Sequence, residues 1–205
     1  KGMSEVAVTY TNNDYGKGFA DAFEAAFQDA GGTITLSAAH EDGKADYSAE
    51  VGALASAGGD ALVVLGYVDQ GGAGIIQSAL DSGAFDTFAL GDGMIGDSLT
   101  ERFGTDIDGT VGTAPGSDNE GGSMFAEMAS GAGIDGTSVY AGESYDAAAL
   151  LLLAMAKAGS TSASDYAGEV MGIANAPGEP ILPGELAKAL QIIADGGSIV
   201  TLGFF

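Results

Sequence analysis

The sequence predicts an α/β fold: a parallel-sheet βαβ lobe followed by helices that belong to an incomplete second lobe. Two observations carry this. Strand-like and helix-like runs alternate through the first 115 residues, and after Pro115-Gly-Ser-Asp-Asn-Glu120 helical patterns take over. Alternation with helices of this size requires right-handed crossovers and a parallel sheet covered on both faces. The boundary is expected at 117/118, leaving residues 1–117 as an α/β lobe and 118–205 as a mainly helical portion lacking most of its sheet.

The first strand, Val6–Tyr10, runs into a polar turn in which Asn12, Asn13 and Asp14 can each cap a helix start, their side-chain oxygens accepting from free backbone N–H groups. A helix over 16–29 follows, with Phe19, Ala20, Phe23, Ala26 and Phe27 forming one apolar stripe and Asp21, Glu24 and Asp29 facing water. Gly31-Gly32 ends it. Further strands are expected over 33–36, 61–65, 87–90 and 109–114, and helices over 48–57, 71–82 and 97–103. The unbroken apolar run Ala61-Leu-Val-Val-Leu65 suits a central strand buried on both faces. Beyond residue 120, helices are expected over 123–130, 144–158, 164–171 and 183–194. No convincing strand is expected among them, and Ile199–Phe205 reads as at most a lone one. Ala147–Met155 is apolar almost all round, which predicts burial against something large.

Composition excludes several functions. With 29 acidic and 6 basic residues the net charge is −23, which repels phosphate backbones and anionic membranes, so a nucleic-acid partner is not expected. The absence of cysteine removes disulfides and thiolate chemistry. No apolar run reaches the roughly 18 residues of a membrane span, and Lys1-Gly-Met-Ser4 does not read as a signal peptide. The 46% hydrophobic content is enough for a real core, and the 35 glycines fall at turns rather than in a repeat.

Four residues form a candidate binding cluster. Tyr15 and Asp92 each follow a strand at one sheet edge, Tyr67 follows the strand 61–65, and Tyr140 precedes the long apolar helix. Open α/β sheets hold ligands at the carboxyl ends of their strands. Tyrosine joins a flat apolar face to a polar tip, and a carboxylate beside such faces suits an ammonium group. Each tyrosine alone reads more readily as a packing or turn residue than as a site, and Asp92 in Gly91-Asp-Gly93 can be a turn residue, so it is their shared topological position that carries the binding reading. Gly91-Asp-Gly93-Met-Ile-Gly96 matches a dinucleotide-binding pattern in form. It follows the fourth strand rather than the first, and it places Asp92 where a pyrophosphate would have to approach. His40, the sole histidine, lies in His40-Glu-Asp-Gly-Lys44 and is expected to be an exposed turn residue with no catalytic partner. Asp106-Ile-Asp108 lacks the spacing of a calcium loop, so no metal site is expected.

Together these segments resemble the substrate-binding proteins of branched-chain amino-acid (Leu/Ile/Val-type) ABC transporters, with the type I periplasmic-binding fold. The resemblance runs over about residues 5–195. Its carriers are Asn13-Asp-Tyr-Gly-Lys-Gly18, Asp46-Tyr-Ser48, Asp60-Ala-Leu-Val-Val-Leu-Gly-Tyr67, Phe88-Ala-Leu-Gly-Asp92-Gly93 and Tyr140-Ala-Gly-Glu-Ser-Tyr145-Asp-Ala-Ala148. It implies two lobes closing across a hinge on an amino acid, with Asp92 meeting the ammonium and Tyr15, Tyr67 and Tyr140 supplying aromatic surface. It also implies a periplasmic protein, monomeric when intact, that is no enzyme, uses no cofactor and delivers its ligand to a membrane permease. It further implies that residues 1 to about 115 correspond to the family's second lobe and that the helices from about residue 120 add to its first lobe, whose remaining sheet-building and carboxylate-holding segments are not found here. The same fold also serves sensory ligand-binding domains.

Overall fold

The computed structural model describes residues 2–116, 119–175 and 177–201. Its contacts divide the chain into two units, 1–114 and 115–205. The expected boundary at 117/118 lies outside the described residues.

Unit 1 runs β1 (Glu5–Thr11), α1 (Asp14–Asp29), β2 (Thr33–His40), α2 (Ser48–Ala57), β3 (Ala61–Leu65), a π-helical turn (Val68–Gly72), α3 (Ala73–Ser82), β4 (Phe88–Leu90), a 3-10 turn (Asp92–Met94), α4 (Asp97–Phe103), a second 3-10 turn (Gly104–Ile107) and β5 (Val111–Gly112). All five strands are parallel, in the order β2-β1-β3-β4-β5. The α/β class and parallel sheet expected from the sequence are therefore present. Strand β3 is buried at every position and feeds two cores by alternation. Leu62 and Val64 pack among Val51, Leu54, Ile75, Ile76, Phe88 and Met94 of one cluster. Ala61, Val63 and Leu65 join Val6, Val8 and Ala20 on the other face, with Phe19, Phe23 and Phe27 against them. Ala26, placed on the α1 stripe by sequence spacing, is instead exposed.

Asp60, just before β3, fastens the start of β1: its Oδ2 accepts from the backbone N–H groups of Ser4 (2.8 Å) and Glu5 (3.0 Å) and from the Ser4 hydroxyl (3.1 Å). The expectation for His40 is overturned. It is 1% exposed at the end of β2, because β2 continues to His40 instead of stopping at residue 36, which brings the ring beside β1.

Unit 2 comprises α5 (Glu120–Gly131), α6 (Ala141–Ala158), α7 (Ala163–Asn175), β6 (Glu179–Ile181), α8 (Leu186–Ala194) and β7 (Ile199–Thr201). Here too the structure corrects the sequence reading. Glu179–Ile181 and Ile199–Thr201 pair in parallel, so a two-stranded sheet exists where none was expected. Three-residue strands are too short for alternation to show, and Pro180 is an edge-strand residue that argues against a strand when read alone. The rest of the expected strand, residues 202–205, lies outside the described residues. Leu153 and Ala154 of α6 pack with Ile173, Ile181, Ala189 and Ile199. Leu151 and Leu152 on the same helix remain 42% and 55% exposed, so α6 buries one side rather than its whole circumference. No single helix among the described residues is long and apolar enough to cross a membrane.

Candidate functional site

Strand order 2-1-3-4-5 creates a switch point between β1 and β3, where the connections leave in opposite directions. The carboxyl ends of β1, β3 and β4 therefore stand side by side, and they carry Tyr15, Tyr67 and Asp92.

Each is set by its local backbone. Asn13, not Asn12 or Asp14, caps α1: its Oδ1 accepts from the Gly16 N–H at 2.9 Å. Asn12 instead donates its side-chain amide to Glu41 at 2.6 Å. The first turn of α1 rests directly on β1, since a Cβ at Gly16 would overlap the carbonyl oxygen of Thr11. Gly16→Ala, which in an ordinary helix would gain up to about 1 kcal/mol, is expected here to lose roughly 1–3 kcal/mol through overpacking. Thermal unfolding of the variant checks the sign.

With α1 seated this way, the Tyr15 hydroxyl donates to Asp92 Oδ1 at 2.7 Å and accepts from the Gly93 N–H at 3.3 Å. Its ring stacks on Tyr67, with centroids 5.1 Å apart and planes 25° apart, and meets Phe19 edge-on at 5.9 Å. Such aromatic pairs contribute about 0.5–1.5 kcal/mol each beyond their burial. Tyr15, Tyr67 and Asp92 are all half-buried, so the cluster is held firmly yet reachable. The hydrogen bond from a neutral phenol to an ionised carboxylate is of the stronger, charge-assisted kind.

The structure thus brings three of the four candidate residues together. Tyr140 belongs to unit 2, where it caps α6, is 41% exposed and has φ +67°, the one left-handed backbone of a non-glycine residue among the described residues. Left-handed conformations of bulky residues carry strain and concentrate at functional positions.

Sequence reasoning missed the backing of the cluster. Gly93 lies so close to Gly66 that a Cβ on it would overlap the Gly66 carbonyl oxygen and come within 3.1 Å of both the Tyr15 hydroxyl and the Tyr67 ring. The Tyr67 carbonyl accepts from the N–H groups of Gln70, Gly71 and Gly72, which anchors the π-helical turn to this residue. A π turn is a single-turn feature often found beside functional sites, and no side-chain period announces it. The sequence placed Gly71 and Gly72 at the start of a helix and Gly93 in a formal dinucleotide pattern, and none of these readings reveals the close backbone approach.

A sequence profile described as "Periplasmic binding protein" matches residues 1–175. The chain belongs to the periplasmic binding protein family. No match was found among curated proteins. Among solved structures, this periplasmic binding protein resembles a type 1 periplasmic binding protein from Bordetella pertussis Tohama I, with a TM-score of 0.73 and 20% identity over 84% of this chain and 51% of the other. It resembles the leucine-binding protein LivK from Thermotoga maritima, with a TM-score of 0.71 and 25% identity over 85% of this chain and 51% of that one. It also resembles the branched-chain amino-acid transporter substrate-binding protein LivJ from Streptococcus pneumoniae, solved with isoleucine, at TM-score 0.64 and 20% identity over 84% of this chain and 50% of that one. The chain spans about half the length of these solved relatives. Family and fold are those of solute-binding proteins, which are not enzymes and act outside the cytoplasm.

Proposed function

We propose that unit 1 is the ligand-binding lobe of an extracytoplasmic solute-binding protein that captures a small amino acid, branched-chain ones included, for uptake through an ABC transporter permease. The carrying observation is the Tyr15–Tyr67–Asp92 cluster at the switch point of the sheet. Asp92 neutralises the ligand ammonium through a charge-assisted hydrogen bond, and the Tyr15 hydroxyl fixes the carboxylate for that task. Because the two rings stack on each other, the ligand side chain lies on the pair rather than between its members. Tyr140, exposed and in a left-handed backbone, is proposed as a further aromatic contact. Its support is that strained geometry together with the motif in which it stands. The likeness to leucine- and isoleucine-binding proteins supports the ligand class.

Calorimetric titration with L-leucine and a panel of other amino acids tests this reading. Asp92→Ala is expected to weaken the preferred ligand by about 1.5–3 kcal/mol, roughly 10- to 150-fold. Unchanged affinity in a folded Asp92→Ala variant rules the assignment out.

A further inference from the structure

The buried histidine behind the cluster has no role in the binding scheme above. His40 Nδ1 is 2.9 Å from the Thr9 hydroxyl, while its Nε2 finds no hydrogen-bond partner among the described residues. That nitrogen faces Gly66, whose missing Cβ would stand 3.2 Å away. On its other edge the ring borders Gly71 of the π turn, where a Cβ would lie 3.3 Å from His40 Cδ2 and 3.2 Å from Asp42 Oδ1. Asp42 Oδ1 is likewise buried and unpartnered among the described residues, its Oδ2 being taken by the Thr11 hydroxyl at 2.7 Å. Gly66 and the π turn are the two segments flanking Tyr67, and the far side of Gly66 is closed by Gly93, next to Asp92. The Gly66–Tyr67 backbone is thus wedged between the imidazole and the aromatic–carboxylate cluster.

From this wedge we infer that His40 is a pH-responsive positioning residue for the ligand site, its protonation displacing Gly66–Tyr67 and with it the stacked tyrosines. The inference rests on the reading of Tyr15, Tyr67 and Asp92 as that site. A neutral ring tolerates one unpartnered nitrogen. A protonated ring presents two N–H donors and a charge, and Nε2–H must find an acceptor. The charged and titratable groups around it are Glu41, Asp42 and Tyr47 of the β2–α2 connection and Glu50 of α2, with Lys44 lying over the Tyr47 ring. Lys44 is engaged by Glu50, and the Tyr47 hydroxyl donates to the Glu41 carbonyl at 3.0 Å. Glu50 Oε2 and Asp42 Oδ1 are both buried oxygens without a hydrogen-bond partner among the described residues, and Asp42 is the one that borders the same glycine as the ring, so the protonated ring is drawn toward it and away from Gly66. Burial holds the imidazole below its ordinary pKa, opposed by the charges of Asp42, Glu50 and Glu41. Below about pH 6.5 the unfolded chain therefore takes up a proton that the folded chain resists, and the neutral arrangement weakens as the pH falls through that window.

His40 is the only histidine, so its imidazole signals are unambiguous in an NMR titration of the ligand-free protein. The expected result is a midpoint below about 6.5, with the Tyr67 and Gly93 amides shifting at that same midpoint. His40→Gln should abolish their shared transition. Tyr67 and Gly93 amides that stay flat while His40 titrates would overturn the inference, as would a transition that survives in His40→Gln. Should that variant fail to fold, the wild-type titration decides alone. Because no ligand is present, this result is separate from the Asp92→Ala binding test.

Discussion

Phe88→Ala is expected to destabilise unit 1 by about 3–5 kcal/mol, the cost of removing a fully buried aromatic ring and leaving part of its volume empty. Phe88 is 0% exposed and packs with Leu62, Val64, Ile76 and Met94 on the face covered by α2, α3 and α4. Strand β4 has only three residues, paired with β3 through Phe88, Ala89 and Leu90, so its place in the sheet depends on this one side chain more than a longer strand would. For a unit of this size the loss corresponds to a fall in unfolding temperature on the order of 10–20 °C. The functional consequence follows from position. Gly91, whose N–H donates to the Val64 carbonyl at 3.2 Å, links β4 to the Asp92 turn. Hydrogen exchange at Gly91 should accelerate in the variant along with global unfolding. An unfolding temperature within a few degrees of the wild type would show that the core behind the site is looser than its geometry implies.

How legible the protein was in its sequence depends on which physical signal each element leaves. Ala61–Leu65, Ser48–Ala57 and Asp97–Phe103 were bounded as observed, since an unbroken apolar run or flanking breakers mark them. The convergence of Tyr15, Tyr67 and Asp92 was legible because a parallel sheet sends the ends of all its strands to one edge. Their contact was not: the Tyr15–Asp92 hydrogen bond joins residues 77 apart in sequence and depends on how deeply Gly16 lets α1 settle on β1. His40 was misread because the polar run His40-Glu-Asp-Gly-Lys44 reads as a solvated turn from its first residue, whereas β2 extends one residue into that run. A strand that ends in a histidine facing a threonine leaves no hydrophobic alternation to detect. The β6–β7 pair was missed for a similar reason, its strands being shorter than the two-residue period needs.

The second large effect tests the burial of α6, where the sequence reading and the structure part. An all-round apolar helix would make any of its leucines costly to truncate. The structure instead separates neighbours: Leu153 is 0% exposed against Ile173, Ile181 and Ile199, while Leu152, one residue away, is 55% exposed. Successive helical positions point about 100° apart, so a one-residue step moves a side chain from the core to its margin. Leu153→Ala is therefore expected to lower the stability of unit 2 by about 2–5 kcal/mol, and Leu152→Ala to stay within about 0.5 kcal/mol of the wild type. Denaturant unfolding followed by hydrogen exchange at α7 and α8 amides reads the two variants side by side. The contrast between them, more than either value, is the measurement: comparable losses would mean that Leu152 is covered in solution, and that the apolar circumference of α6 reports a second buried face.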